Sequence, residues 1–273
     1  TNIGVFGGLT TGATSVGVTS KNIYEIDPVT GIGTAIATMT APVHDAAGAV
    51  IGSDYYVFGG GAASESASVQ KYTFTNSNKL TGSLAASLPS KRADLTATSF
   101  NGQVYLAGGF DGKQWLPSLL ATTDGATFTA LAQLATPVRY PAAAALNGKL
   151  YLIGGELAPK SADATNVQQI DLQTGAVTSL SPLPVGLSHA SAAVVNNTIY
   201  VFGGRSGGHA IDTISVLNPA TGQLQSVGQL PAARSDMGVT VVGSTAYLLG
   251  GETDTGKQVN TAVTVRLVAP GGG

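Results

Sequence analysis

Five residues stand fourteen positions before a Gly-Gly pair: Asp45, Asp94, Tyr140, His189 and Asp236. One or two residues upstream of them lie His44, Arg92, Arg139 and Arg234, and directly after the Gly-Gly pairs come Leu9, Gly61, Phe110, Glu156, Arg205 and Glu252. The chain has only 13 Lys+Arg and 15 Asp+Glu in 273 residues. Nine of those charges fall in this set: Asp45, Asp94, Asp236, Arg92, Arg139, Arg205, Arg234, Glu156 and Glu252. Two of the three histidines join them. Carboxylates and imidazoles move protons, and guanidinium groups grip anions through paired N–H donors.

Several chemistries are open to such a set. Asp45, Asp94, Asp236, Glu156 and Glu252 offer carboxylates for a glycosidase, which needs two of them at a defined separation. His44, His189, Asp45 and Asp236 are metal-ligand types, and they would have to meet across the fold. A serine hydrolase is disfavoured, because no G-x-S-x-G stretch lies between a strand and a helix. Alternatively, the Arg-x-Asp spacing of Arg92/Asp94 and Arg234/Asp236 is a repeated structural salt bridge. The residues that break the repeat, Tyr140, His189, Phe110, Glu156 and Arg205, are the better recognition candidates. Trp115, the single tryptophan, either stacks on a ligand or packs under its own loop.

What positions these residues is a repeat. IGVFGGL (3–9), YYVFGGG (55–61), VYLAGGF (104–110), LYLIGGE (150–156), IYVFGGR (199–205) and AYLLGGE (246–252) are six copies of one phrase. Their first glycines are Gly7, Gly59, Gly108, Gly154, Gly203 and Gly250, a period near fifty. Within one period, SAAVV (191–195), TIYVF (198–202), TISVL (213–217) and QLQSV (223–227) read as four strands, A to D. Asn196-Asn197 and NPATG (218–222) supply the A–B and C–D turns. Asn101-Gly102, Asn147-Gly148, DPVTG (27–31) and LQTG (172–175) repeat those turns elsewhere. Four antiparallel strands per period make a propeller blade. AAGAV (46–50) and AAAAL (142–146) fill the strand A slot, where small residues suit the crowded centre of a six-bladed ring. Strand A then starts, and strand B ends, on one rim, around the mouth of a central channel.

The pattern resembles the kelch repeat over the whole chain, and the galactose-oxidase central domain that carries such repeats. The matching features are the Gly-Gly after strand B, the aromatic before it (Tyr105, Tyr151, Tyr200, Tyr247) and Leu-Pro before the next blade (Leu88-Pro89, Leu183-Pro184, Leu230-Pro231). The tryptophan common on strand C of kelch repeats is missing. The resemblance implies an all-β, six-bladed propeller of four-stranded blades, and a peptide or protein partner on the rim. The copper chemistry of kelch-type oxidases needs a cysteine-linked tyrosine, and this chain has no cysteine. TTDGATF (122–128) loosely resembles the Asp-box turn of sialidases, one residue short.

Composition agrees. A net charge of −2 provides no field to attract nucleic acid, and no apolar run approaches the ~20 residues of a membrane span. The absence of cysteine removes thiolate metal sites and cysteine nucleophiles. Residue 1 enters at a strand B, and the chain ends just after a strand C, TAVTVRL (261–267). The first and last blades are therefore expected to lack one strand each, with another segment completing the ring. Residues 269–273 read as the start of a linker. Taken alone, the sequence favours a single propeller domain over 1–273, secreted or at a bacterial surface. It would be a non-enzymatic binder of a peptide, protein or glycan, with neither metal nor cofactor. A carbohydrate-active enzyme using the rim acids and a structural assembly subunit are the alternatives.

Overall fold

A computed structural model describes residues 2–11, 17–77, 79–159 and 162–266. The expected linker and Leu267 lie outside them. Among the described residues every regular element is a β-strand, and the strands form six antiparallel blade sheets and three two-stranded ones. The chain divides into two compact units, Thr1–Leu131 and Ala132–Gly273.

The first unit carries three blades. Blade 1 has three strands, Ile3–Phe6, Asn22–Ile26 and Gly33–Thr38. Blade 2 orders its strands A to D as Ala47–Ile51, Asp54–Phe58, Ser68–Phe74 and Leu80–Ser87. Blade 3 uses Thr96–Phe100, Gln103–Ala107, Ser118–Thr122 and Thr129–Gln133. Neighbouring blades pack face to face. Tyr56, Phe58 and Val69 of blade 2 meet Val104, Leu106 and Leu120 of blade 3 in one buried cluster.

The second unit repeats the plan. Blade 4 is Ala142–Leu146, Lys149–Ile153, Val167–Asp171 and Val177–Ser179. Blade 5 is Ser191–Val195, Thr198–Phe202, Thr213–Leu217 and Leu224–Gln229. Blade 6 has Gly238–Val242, Thr245–Leu249 and Ala262–Arg266, three strands among the described residues. The alanine run 142–146 is a strand despite its helical propensity, pairing Ala142 with Ile153 and Leu146 with Lys149. Ala142 and Ala144 are buried in the core that blades 4 and 5 share.

Four of the Gly-Gly pairs are backbone clamps between blades. The N–H of Gly155 donates to the carbonyl of Leu187 at 2.8 Å, and that of Gly204 to Arg234 at 2.9 Å. Gly8 and Gly60 do the same to Val43 and Arg92 in the first unit. The preceding glycine has nowhere to put a side chain. A Cβ on Gly154, at φ +64, would lie 2.0 Å from the Leu187 oxygen. Only glycine combines that left-handed backbone with so close an approach.

A second clamp has no signature in the turns. Gln168, on strand C of blade 4, is 1% exposed. Its side-chain amide accepts from the Thr136 N–H at 3.0 Å and donates to the Thr136 carbonyl at 2.9 Å, as a peptide group would. Gln70, on strand C of blade 2, holds Ala41 in the same two-bond manner, at 2.9 and 2.7 Å. Tyr72 adds a hydroxyl donated to Gln70 Oε1 at 2.7 Å.

Candidate functional site

The five-residue column is first of all a backbone device. Asp45, Asp94, Tyr140, His189 and Asp236 all have positive φ, between 52° and 61°. Such a conformation is uncommon for residues other than glycine, though aspartate and histidine accept it more readily than most. In three of them it turns the N–H toward the column residue of the preceding blade. In the first unit Asp94 donates to the Asp45 carbonyl at 2.9 Å. In the second, His189 donates to Tyr140 at 3.1 Å and Asp236 to His189 at 3.0 Å.

The residue before each column position pairs with the residue after Gly-Gly. The bridges are His44 with Gly61, Ala93 with Phe110, Arg139 with Glu156, Ser188 with Arg205 and Ser235 with Glu252. The start of strand A and the end of strand B therefore share one end of each blade, as the repeat predicts. Short hairpins after the Gly-Gly pairs extend that end: Glu156–Leu157 with Ala162–Asp163, and Arg205–Ser206 with His209–Ala210.

The nominated residues divide into two groups. Arg92 is 1% exposed, with Nη1 donating to the Ser118 carbonyl at 3.0 Å and Nη2 to the Ser118 hydroxyl at 2.5 Å. Burial pushes its pKa down to about 10. Arg234 is buried too, donating to the carbonyls of Gly250 and Thr261 and to the Thr261 hydroxyl. Both guanidinium groups brace the B–C connection of their own blade. Asp94 is also buried. Trp115 packs on its own loop, edge-on to Phe110 with ring centroids 5.1 Å apart. The Asp124 turn is structural. One carboxylate oxygen accepts from the Ala126 and Thr127 amides, which holds the acid at about 2.

A second group converges at the Gly-Gly end of blades 4, 5 and 6. Arg139 Nε donates to Glu156 Oε2 at 2.8 Å. The Tyr140 ring stacks on His189 at 4.0 Å, with Arg139 lying 5.3 Å from the tyrosine centroid. Ser188 donates its hydroxyl to Asp163 Oδ1 at 2.6 Å, so it can only accept from His189 Nδ1, 2.8 Å away. That fixes the neutral histidine as the Nδ1–H tautomer and leaves Nε2 facing Glu156 Oε1 and Asp236 Oδ1, each at 3.8 Å.

Burial, with the cations Arg205 and Arg139, favours the neutral ring, whereas the Asp163 carboxylate favours an imidazolium. Burial prevails. The ring is 12% exposed, Glu156 is already paired with Arg139, and Asp236 accepts from the Ser235 hydroxyl at 2.7 Å. The His189 pKa falls to about 4.

Arg205 stands apart. Its guanidinium donates one hydrogen bond, from Nη2 to the Gly208 carbonyl at 3.1 Å. No carboxylate among the described residues pairs with it. The nearby acids are committed elsewhere: Asp163 to Ser188 and to the Gly208 amide, Asp254 to Ala210 and His209.

In the first unit His44 takes the place of the cations, its Nδ1 2.8 Å from the Thr19 hydroxyl and its Nε2 3.7 Å from Asp45. Among the described residues no group of three or more His, Asp or Glu side chains is arranged to hold a metal. Nor is any helix among them long and apolar enough to cross a membrane. Sequence reasoning missed Asp163 and Ser188, which orient His189. A serine just before a column residue is their only sequence signal.

Comparison with known proteins agrees with this anatomy. A family model described as the KLHDC2/KLHL20/DRC7 Kelch-repeats domain matches residues 140–269. A solved structure described as "Structure of YjhT" is similar over 90% of this chain and 89% of that one, with a TM-score of 0.77 and 19% sequence identity. At that identity the likeness concerns the fold. No curated protein matches the chain. The fold is that of a six-bladed β-propeller, and its second half, residues 140–269, is similar to a kelch-repeat domain.

Proposed function

We propose that this protein is a non-enzymatic binding module that takes a segment of a partner protein on the Gly-Gly end of blades 4, 5 and 6. One observation carries the reading: Arg205 is a half-buried guanidinium with a single hydrogen bond, at the edge of an otherwise internally paired cluster. A guanidinium has five N–H donors in a planar fork, so Arg205 offers the partner a ready grip on a carboxylate or carbonyl. The neighbouring Tyr140–His189 stack provides a flat, rigid wall beside it. Kelch-repeat propellers suit this role, since their rigid blades present loops at one end. The rim acids support binding better than hydrolysis, because Glu156 and Asp163 are engaged by Arg139 and Ser188. A glycan is the second ligand class, favoured by the same hydrogen-bonding groups.

A peptide and glycan array screened with the wild-type chain and with Arg205→Ala/Tyr140→Asn tests the proposal. Asparagine is chosen at 140 because it tolerates the φ of +52° there. The expected result is a set of peptides that the wild type binds and the double variant does not, with none chemically altered. Equal binding by both proteins, or turnover of an arrayed ligand, contradicts it.

A further inference from the structure

Two neighbouring loops of the second unit carry opposite charges that the chain leaves unanswered. Arg205 and Glu252 hold the same place in blades 5 and 6, directly after the Gly-Gly pair. Both are half-buried. Glu252 makes no side-chain hydrogen bond or ion pair among the described residues, and Arg205 makes only its bond to the Gly208 carbonyl. The corresponding acid of blade 4, Glu156, is instead neutralised by Arg139 at 2.8 Å. Lys257, the cation nearest to Glu252 in the chain, is exposed and pairs with no acid among the described residues. A half-buried carboxylate without a partner loses hydration and gains no bond in exchange.

The two charges do not answer each other, because each is turned to its own loop. Arg205 Nη2 rests on Gly208. Glu252 Oε1 lies over Gly256, where a Cβ would be 3.1 Å from it. The loops themselves are tied together. Asp254 accepts from the Ala210 N–H at 2.8 Å and lies 3.1 Å from His209 Nδ1, which joins the 205–210 hairpin of blade 5 to the 253–257 turn of blade 6. That turn is closed by the Thr253 N–H, which donates to the Lys257 carbonyl at 3.0 Å. The Asp236 N–H, donating to the His189 carbonyl at 3.0 Å, joins the same two blade ends a second time. Cation and anion are thus held apart at a set spacing, and little ordering remains when a ligand bridges them.

We infer that the partner segment of the preceding section presents an acidic side chain to Arg205 and a basic one to Glu252, on one face of a short extended stretch. This rests on that reading and adds the charge pattern of the segment. A carboxylate suits the planar fork of the guanidinium, and an ammonium brings three donors to the Glu252 oxygens. Alternate residues of an extended chain share a face, so an acid and a base two residues apart address both. A segment with acids alone would set like charge against Glu252, and one with bases alone would do so against Arg205.

Amide-detected NMR titrations of the full chain, ¹⁵N-labelled, test the inference with three acetylated and amidated tripeptides: Asp-Ala-Lys, Asn-Ala-Lys and Asp-Ala-Gln. Asp-Ala-Lys should bind about threefold or more tightly than either of the others, the size of a partly exposed ion pair, and should shift the Ser206, Gly251 and Thr253 amides. Glu252→Gln keeps the shape of the side chain. It should erase the preference for lysine over glutamine and leave that for aspartate over asparagine. Arg205→Gln should do the converse. The spectra of the free variants verify their folds. A lysine preference that survives Glu252→Gln overturns the inference, and leaves the binding reading standing if Arg205→Gln still erases the aspartate preference. Equal affinity for all three tripeptides, or no shift with any of them at tens of millimolar, overturns it as well, and the array then decides the binding reading by itself.

Discussion

At the residue scale, the chain spends its few charges in two ways. Arg92 and Arg234 show that a guanidinium can serve this fold by stapling backbone carbonyls. Arg205 is the exception, because its partners in the chain are few. His189 gives a separate, pH-dependent handle. Its folded pKa of about 4 lies below the ordinary value of 6.5. The unfolded chain therefore takes up the proton first, and stability falls as pH drops from about 6.5 toward 4. The contribution is of order 3 kcal/mol over that window, at ~1.4 kcal/mol per pKa unit. Denaturant midpoints measured from pH 7 to pH 4 should show a steeper decline for the wild type than for His189→Gln. Parallel declines would mean that the histidine does not titrate as its burial and the two arginines require.

At the element scale, the blades are held by backbone and by backbone mimics. Gly154→Ala places a methyl 2.0 Å from the Leu187 oxygen in a left-handed conformation, and should cost at least ~3 kcal/mol. Gly250→Ala is the control. It shares the left-handed φ of +67°, but its nearest neighbour would be 3.5 Å away. Only the conformational cost of roughly 1–2 kcal/mol is expected there. Urea midpoints of the two variants make the comparison, and equal losses would refute the clamp. Gln168→Ala strips the Thr136 peptide of both partners in a buried place, and should cost about 2–4 kcal/mol by the same measurement.

The glycine clamps and the strand order were legible in the sequence because tight turns and close approaches admit few residue types. The glutamine clamps were not, since a lone glutamine in a strand ordinarily reads as an exposed polar residue. The rim was legible in part. The repeat located the column, but no spacing reveals that Arg92 turns inward to Ser118 while Arg205 stays at the surface. That depends on which side chain meets a free carbonyl, a tertiary fact. The hairpins at 156–163 and 205–210 were missed because two-residue strands lack enough length to show an alternation.

At the scale of the whole molecule, six blades share one plan and carry sparse charge. A net charge of −2 gives little long-range steering, so association should depend only weakly on salt. Raising sodium chloride from 0.05 to 0.5 M should weaken rim binding by less than tenfold, from screening of the Arg205 contact. A steeper loss, read from titrations at each salt, would indicate several exposed charge pairs.

The most direct test of the binding proposal is the affinity of the strongest array peptide for the wild type and for Arg205→Ala, measured by titration calorimetry. A charged hydrogen bond contributes about 1.5–3 kcal/mol. The variant should therefore bind roughly ten- to a hundredfold more weakly, with its fold intact by circular dichroism. Undiminished affinity in Arg205→Ala would place recognition away from this end of the blades and contradict the account.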